Sequence, residues 1–323
     1  MATGNSSFSK LVSSTLQQHS NEVFDAISTN NALFYMLNKR GNIKVKSGGR
    51  EFTHPIRYKA NPSFKAYAHL EPIVTDLQDN VTRAVYPIKI VAGSLVLSKF
   101  EIAQNAGNKE KLLDLVKEVK DDAKTSMSQL MGTQSWKDGT GVKDFDGLPF
   151  LINASPSTQT AVGGIDPSAT DNTYWRNQTE TTGTAAFNTN QAGLSIMNTL
   201  LLNCTFGNTG PKAVITTKAV YALYELGLTS NLRYTSNELA DSSFVHLVYA
   251  TMPVLFDDNS TTAYIYMIDL DGLWLQVLSQ GNNQTTTFEP SHNQLSDIAL
   301  MYTFGNLTCG SRRTQGVATG ITG

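Results

Sequence analysis

The sequence predicts a mixed helix-and-strand protein of the α+β class, and three observations predict it. Residues 109–131 carry one long helical period. Short apolar runs between 213 and 278 are separated by turn residues such as Asp257-Asp258-Asn259 and Asp271-Gly272. The stretch 45–91 is basic and proline-punctuated, and it alternates as a β-hairpin does.

Taken in order, Phe8, Leu11, Leu16, Val23 and Ile27 stand near helical spacing and predict an amphipathic helix over 8–27. A shorter helix is expected around Leu33, Phe34 and Leu37, ended by Gly41. The hairpin arm goes out through 52–59 and returns through 83–91. Pro55, Pro62, Pro72 and Pro87 each lack a backbone donor, which places these segments on sheet edges or in turns. A lone two-stranded hairpin is marginal in water. The expected cover for this one is a second copy of the same chain.

The helix over 109–131 places Leu112, Leu115 (or Val116), Val119, Ala123, Met127 and Leu130 at three- and four-residue steps. Asn108 is the expected N-cap and Gly132 the expected residue just past its C-terminus. Strands are expected at 148–152, 213–216, 244–249, 252–256, 263–268 and 273–278, and helices at 191–204 and 218–226.

A chain of 323 residues can bury a sizeable core and holds about two domains by length. Hydrophobic residues at 40% and charged residues at 16% fit an ordered globular protein. No basic segment followed by an apolar stretch opens the chain, so no secretory signal is expected. Nor does any apolar run approach the roughly 20 residues of a membrane span. With Cys204 and Cys309 as its only cysteines, the chain has no disulfide framework, and a reducing cytoplasm is the expected setting.

The net charge of −2 hides a polarity. From 39 to 65 the ionised residues are Lys39, Arg40, Lys44, Lys46, Arg50, Arg57, Lys59 and Lys65 against Glu51 alone. From 213 to 310 they are Glu225, Glu238, Asp241, Asp257, Asp258, Asp269, Asp271, Glu289 and Asp297 against Lys218 and Arg233. Such asymmetry suits a nucleic-acid arm, head-to-tail steering of one subunit onto the next, or charges that merely solvate two surfaces.

Catalytic constellations are missing from the pattern. The run Gly207-Asn-Thr-Gly210-Pro-Lys212 has the wrong glycine spacing for a phosphate loop and a proline where a donor is needed. Asp269-Leu-Asp271-Gly272 lacks the ligand ladder of a calcium loop. The five histidines are scattered, with none in a metal-binding spacing. Cys204 with His246 is the one conceivable nucleophile pair, and a buried structural thiol is the better reading. No catalytic residue, cofactor or metal is expected.

The order of elements resembles the tailed-bacteriophage major capsid proteins of the Hong Kong 97 type, a fold shared with encapsulin shells. The likeness rests on Leu37-Asn38-Lys39-Arg40-Gly41, Ser47-Gly48-Gly49-Arg50, Ala84-Val85-Tyr86-Pro87 and the helix at 109–131. It continues through Asp146-Gly147-Leu148, Val162-Gly163-Gly164-Ile165-Asp166, Tyr174-Trp175-Arg176-Asn177 and Phe304-Gly305-Asn306-Leu307-Thr308, and then Arg312-Arg313. The resemblance implies an N-terminal arm (1–44), an extended loop (45–92), a peripheral domain with a spine helix (93–144 and 286–323) and an axial domain (145–285). It implies self-assembly into pentamers and hexamers of an icosahedral virion head, built in the bacterial host cytoplasm. That head encloses double-stranded DNA without sequence-specific binding, with a portal protein and separate scaffolding or decoration proteins as partners, and no membrane. Arg50, Arg57, Lys59 and Lys65 are the expected inter-subunit contacts, and no covalent cross-link is expected. The alternatives are an encapsulin-type shell around an enzyme cargo and a cytosolic hydrolase with an unrecognised site.

Overall fold

A computed structural model describes residues 31–73, 75–76, 78–104, 109–181, 187, 192–228 and 247–322; at 109–115 and 118 it describes the backbone alone. The helix expected over 8–27, the N-cap Asn108 and His246 lie outside these residues.

The chain begins with α1 (Ala32–Lys39), followed by β1 (Ile43–Lys46), β2 (Glu51–Arg57), β3 (Val81–Pro87) and β4 (Lys89–Ser98). Next come α2 (Lys99–Gln104), α3 (Lys109–Ser135), α4 (Leu148–Leu151), a 3-10 turn at Thr170–Trp175 and β5 (Gln178–Thr181). The middle holds α5 (Ala192–Cys204), β6 (Ala213–Thr216), α6 (Lys218–Gly227), β7 (Leu247–Tyr249), β8 (Met252–Phe256) and β9 (Ile265–Ile268). Then follow β10 (Leu273–Leu278), β11 (Gln284–Thr285), β12 (Glu289–Pro290), β13 (Ser296–Cys309) and β14 (Gly316–Thr319).

Three sheets result. The first joins β1, β10, β13 and β11 in that order, with β4 and β12 also paired to β13. The second runs β5-β14-β9-β6-β8-β7, and β2–β3 form a hairpin by themselves. The sheets do not divide the chain into contiguous blocks. β10, at 273–278, belongs to the first, and β14, at 316–319, to the second.

Local chemistry explains the elements that the sequence announces. Asn31 caps α1 by accepting from the Leu33 and Phe34 amides at 3.0 and 3.2 Å. The helix buries Leu33, Phe34, Met36 and Leu37, each contributing about 1.5–3 kcal/mol of transfer energy. Gly41 then turns the chain at φ +68°, a left-handed conformation that favours glycine. β6 is buried at all four positions because β8 and β9 flank it and both its faces are covered.

Two expectations are corrected. Residues 148–151 are helical and not a strand. Gly147 starts the turn, Pro149 presets φ in its first turn, and Leu148 and Leu151 bury on one side. The long helix does not stop before Gly132 but runs on to Ser135. Gly132 packs closely there: a Cβ would sit 3.0 Å from Asn31 Nδ2.

The hairpin is the third correction. Its base is covered by its own chain, not left for another copy. Phe52, Ile56, Ala84 and Tyr86 are buried in the main core cluster with Val162, Trp175 and Cys309. Period-2 alternation in β2 and β3 puts these four residues on one inward face. The outer end, by contrast, is exposed.

Candidate assembly surface

Polar and aromatic contacts fix the hairpin base to the first sheet. The Tyr86 hydroxyl donates to the Cys309 carbonyl at 2.8 Å, and burial pushes its phenol well above the ordinary value. His54 stacks on Trp274, with ring centroids 4.7 Å apart, and bonds Thr308 Oγ1 at 3.0 Å and Gln276 Nε2 at 2.8 Å. Burial first, then Lys46 and Lys44, lowers the His54 pKa to about 4, so the ring is neutral at pH 7. Asn306, fully buried, donates to the Pro87 carbonyl at 2.9 Å and to Asp146 Oδ2 at 2.8 Å.

A glycine turn closes over the other side. The Val85 amide donates to the Gly163 carbonyl at 2.8 Å. Gly163 sits at φ +60°, and a Cβ there would lie 2.9 Å from the Ala84 Cβ. Two of the motifs behind the resemblance, at 162–166 and 304–308, thus meet on the hairpin base.

The adjacent arginines, in the turn between β13 and β14, go opposite ways. Arg312 is completely buried, and its guanidinium donates to Leu151 O, Trp175 O, Gln159 Oε1 and Asn177 Oδ1. Burial lowers its pKa to about 10, partly offset by Cys309 and Tyr86. Arg313 points outward, its guanidinium 4.1 Å from the Phe206 ring centroid.

Arg57 and Lys59 lie beside Arg313 on a groove of about 450 Å³ that also includes Tyr58, Tyr174 and Phe206. Among the described residues no carboxylate comes within ion-pair distance of Arg50, Arg57, Lys59 or Arg313. Lys65 differs from the other three expected contacts: it pairs with Glu71 at 3.0 Å inside its own loop. Arg50, at the hairpin's inner end, is exposed and lines neither this groove nor the tip.

The tip is held by local bonds: Asn61 Oδ1 accepts from Ser63, Tyr67 donates to Ser63 O, and Glu71 accepts from Ala68 N. Yet it presents Phe64 and Leu70 at 87% and 89% exposure and Ile73 at 67%. None of these three residues is among the contacts expected from the sequence, and Arg313 enters there only as part of the Arg312-Arg313 motif. Three large apolar side chains between Pro62 and Ile73, in a stretch with no strand or helix period, were the available signal.

Elsewhere the chemistry is structural. Burial lifts the Cys204 thiol to about 12, the wrong direction for a nucleophile. Asp269 accepts from the Asp271 amide at 3.1 Å and from the Thr314 hydroxyl at 2.8 Å, which ties a turn to the C-terminal segment. Lys212 pairs with Asp271. Among the described residues no cluster of three His, Cys, Asp or Glu could hold a metal, and no helix is long and apolar enough to cross a membrane.

No protein-family model and no curated protein matches the sequence. Solved structures do match the fold. A subunit of the cyanophage A-1(L) capsid is 15% identical with a TM-score of 0.61, over 89% of this chain and 93% of that one. The capsid of Myoviridae phage XM1 is 13% identical with a TM-score of 0.53, over 88% and 92%. The holo-SrpI encapsulin complex from Synechococcus elongatus is 12% identical with a TM-score of 0.53, over 88% and 87%. Spanning nearly the full length of both partners in each case, with a spine helix, two sheets and a projecting hairpin, this chain has the Hong Kong 97-type capsid fold.

Proposed function

We propose that this chain is the major shell subunit of a tailed-phage head. It assembles into pentamers and hexamers around double-stranded DNA, and the implied partners are a portal protein and separate scaffolding or decoration proteins. The observation that carries the reading is the fold match to phage capsid subunits over about nine-tenths of this chain. The physics of the hairpin supports it. A strand pair anchored at its base and apolar at its tip has unburied surface to place on a neighbour, and head-to-tail contacts close rings.

In this reading the first sheet and α3 make the peripheral domain and the second sheet makes the axial domain. The chain crosses between them at 273–278 and again at 316–319. The projecting arm is 51–87, because 43–46 and 89–98 are strands of the first sheet. Arg50, Arg57 and Lys59 face a neighbour, and a nearly neutral chain with a net charge of −2 holds DNA by enclosure, not by a phosphate-led contact.

Electron microscopy of the purified protein tests the proposal. Closed polyhedral shells are the expected result, and a monodisperse monomer or dimer at high concentration refutes it. An encapsulin-type compartment is favoured by the SrpI match. Particles from the native host distinguish the two, since nuclease-protected double-stranded DNA belongs to the first and a protein cargo to the second.

A further inference from the structure

Four cations, Arg57, Lys59, Arg312 and Arg313, line the groove of about 450 Å³ between the end of β2 and the turn that follows β13. Among the described residues no carboxylate lines it, and none comes within ion-pair distance of the four. Like charges so placed repel one another, and an anion between them relieves the repulsion. Arg312 is the buried member, at 0% exposure. A guanidinium carries five N–H donors. The four bonds that Arg312 makes go to neutral oxygens of Leu151, Trp175, Gln159 and Asn177. It is a fixed positive charge without a carboxylate partner, in a place where salt screens little.

Aromatic rings steady two of the others. The Arg313 guanidinium lies 4.1 Å from the Phe206 ring centroid, and Lys59 Nζ lies 5.3 Å from that of Tyr58. Long side chains seated on rings lose less freedom when a ligand arrives. Tyr58 and Tyr174 stand with their rings 5.2 Å apart. An adjoining hollow of about 700 Å³ shares Tyr58, Lys59, Tyr174 and Arg313 and adds Thr173 and Gln178 as neutral polar groups. Its one acid, Asp171, is exposed.

We propose that this groove binds a phosphate-class oxyanion, either free or carried on a small molecule with an aromatic ring. Arg57 and Arg313 offer planar forks that match such oxygens, Lys59 adds a point charge, and Arg312 supplies a fixed positive field behind them. Tyr58 and Tyr174 give a ring carried on the phosphate a face to stack on. An acidic peptide spreads its carboxylates along a line, whereas these cations converge on one hollow. The inference goes beyond the shell reading and does not depend on it.

The test is equilibrium dialysis of the full chain against radiolabelled inorganic phosphate and, in a second arm, radiolabelled adenosine 5′-monophosphate. Chloride at about 0.15 M screens loose surface attraction. The expected result is one saturable site per chain in at least one arm. Arg313→Gln should weaken it by about ten-fold or more, as loss of a charged hydrogen-bond donor does. Lys143→Gln, an exposed cation that lines neither hollow, should leave it unchanged. Tighter binding of the nucleotide assigns the site to an aromatic phosphomonoester, and equal binding assigns it to free phosphate. No saturable binding in either arm overturns the proposal. So does binding that survives both in Arg313→Gln and in the double variant Arg57→Gln with Lys59→Gln. A hexaglutamate peptide that binds where neither phosphate nor nucleotide does also overturns it and gives the groove to an acidic peptide. If circular dichroism shows that Arg313→Gln does not fold, the double variant decides. Shells are scored separately by electron microscopy, so failure here leaves the shell reading standing.

Discussion

Substituting Tyr86→Phe asks whether the hairpin is held by its own protomer. Tyr86 is 0% exposed, and its hydroxyl reaches the Cys309 carbonyl at 2.8 Å, at the outer end of β13. The phenylalanine ring keeps the packing among Phe52, Ala84 and Cys309 and removes one donor. Losing a buried hydrogen bond and leaving an acceptor uncompensated costs about 1–2 kcal/mol. That is roughly a 5- to 30-fold change in a local opening equilibrium. Amide hydrogen exchange reads it out in dilute, unassembled protein. The amides of Glu51–Arg57 and Val81–Pro87 are expected to exchange faster by that factor, with those of the second sheet unchanged. If unassembled protein exchanges identically with and without the hydroxyl, and only particles differ, the base is held by a neighbour and the argument for intramolecular anchoring fails.

Four other outcomes are expected. His54 has a folded pKa near 4, below the ordinary 6.5, so the unfolded chain binds more protons between those values. Stability is therefore full above about pH 6.5 and falls by on the order of 1–2 kcal/mol, discounted for partial exposure, as the pH drops towards 4. Urea midpoints against pH check this, and His54→Gln should flatten that segment of the curve. Gly305→Ala should lower stability by about 1–3 kcal/mol, because the new Cβ would lie 2.7 Å from the Gln276 carbonyl oxygen. Gly48→Ala, with open space around it, should stay within about 0.5 kcal/mol in the same denaturation assay. Reversing Arg57 and Lys59 together to Glu should abolish shells in electron micrographs while circular dichroism of the monomer is unchanged. Normal shells from that variant would remove charge steering from the account.

Local patterns carried much of this fold. The 3.6-residue period of α3 and the capped apolar turn of α1 depend on neighbours three and four residues away, so they are legible in the chain itself. The same holds for strands 213–216 and 273–278, whose bounds agree with the apolar runs. Residues 148–151 were not legible, since a short apolar run has no period to separate helix from strand and the deciding contacts are distant.

By itself, the sequence determined most of the elements and the basic arm. Only the tertiary structure decided which sheet each strand joins, because ladder partners such as Leu273 and Cys309 are set by long-range register. It also decided what covers the arm. Alternation shows that Phe52, Ile56, Ala84 and Tyr86 share a face, but not that Gly163, Asn306 and Cys309 come together to receive it. Burial is a property of the whole folded surface, and no local window of residues contains it.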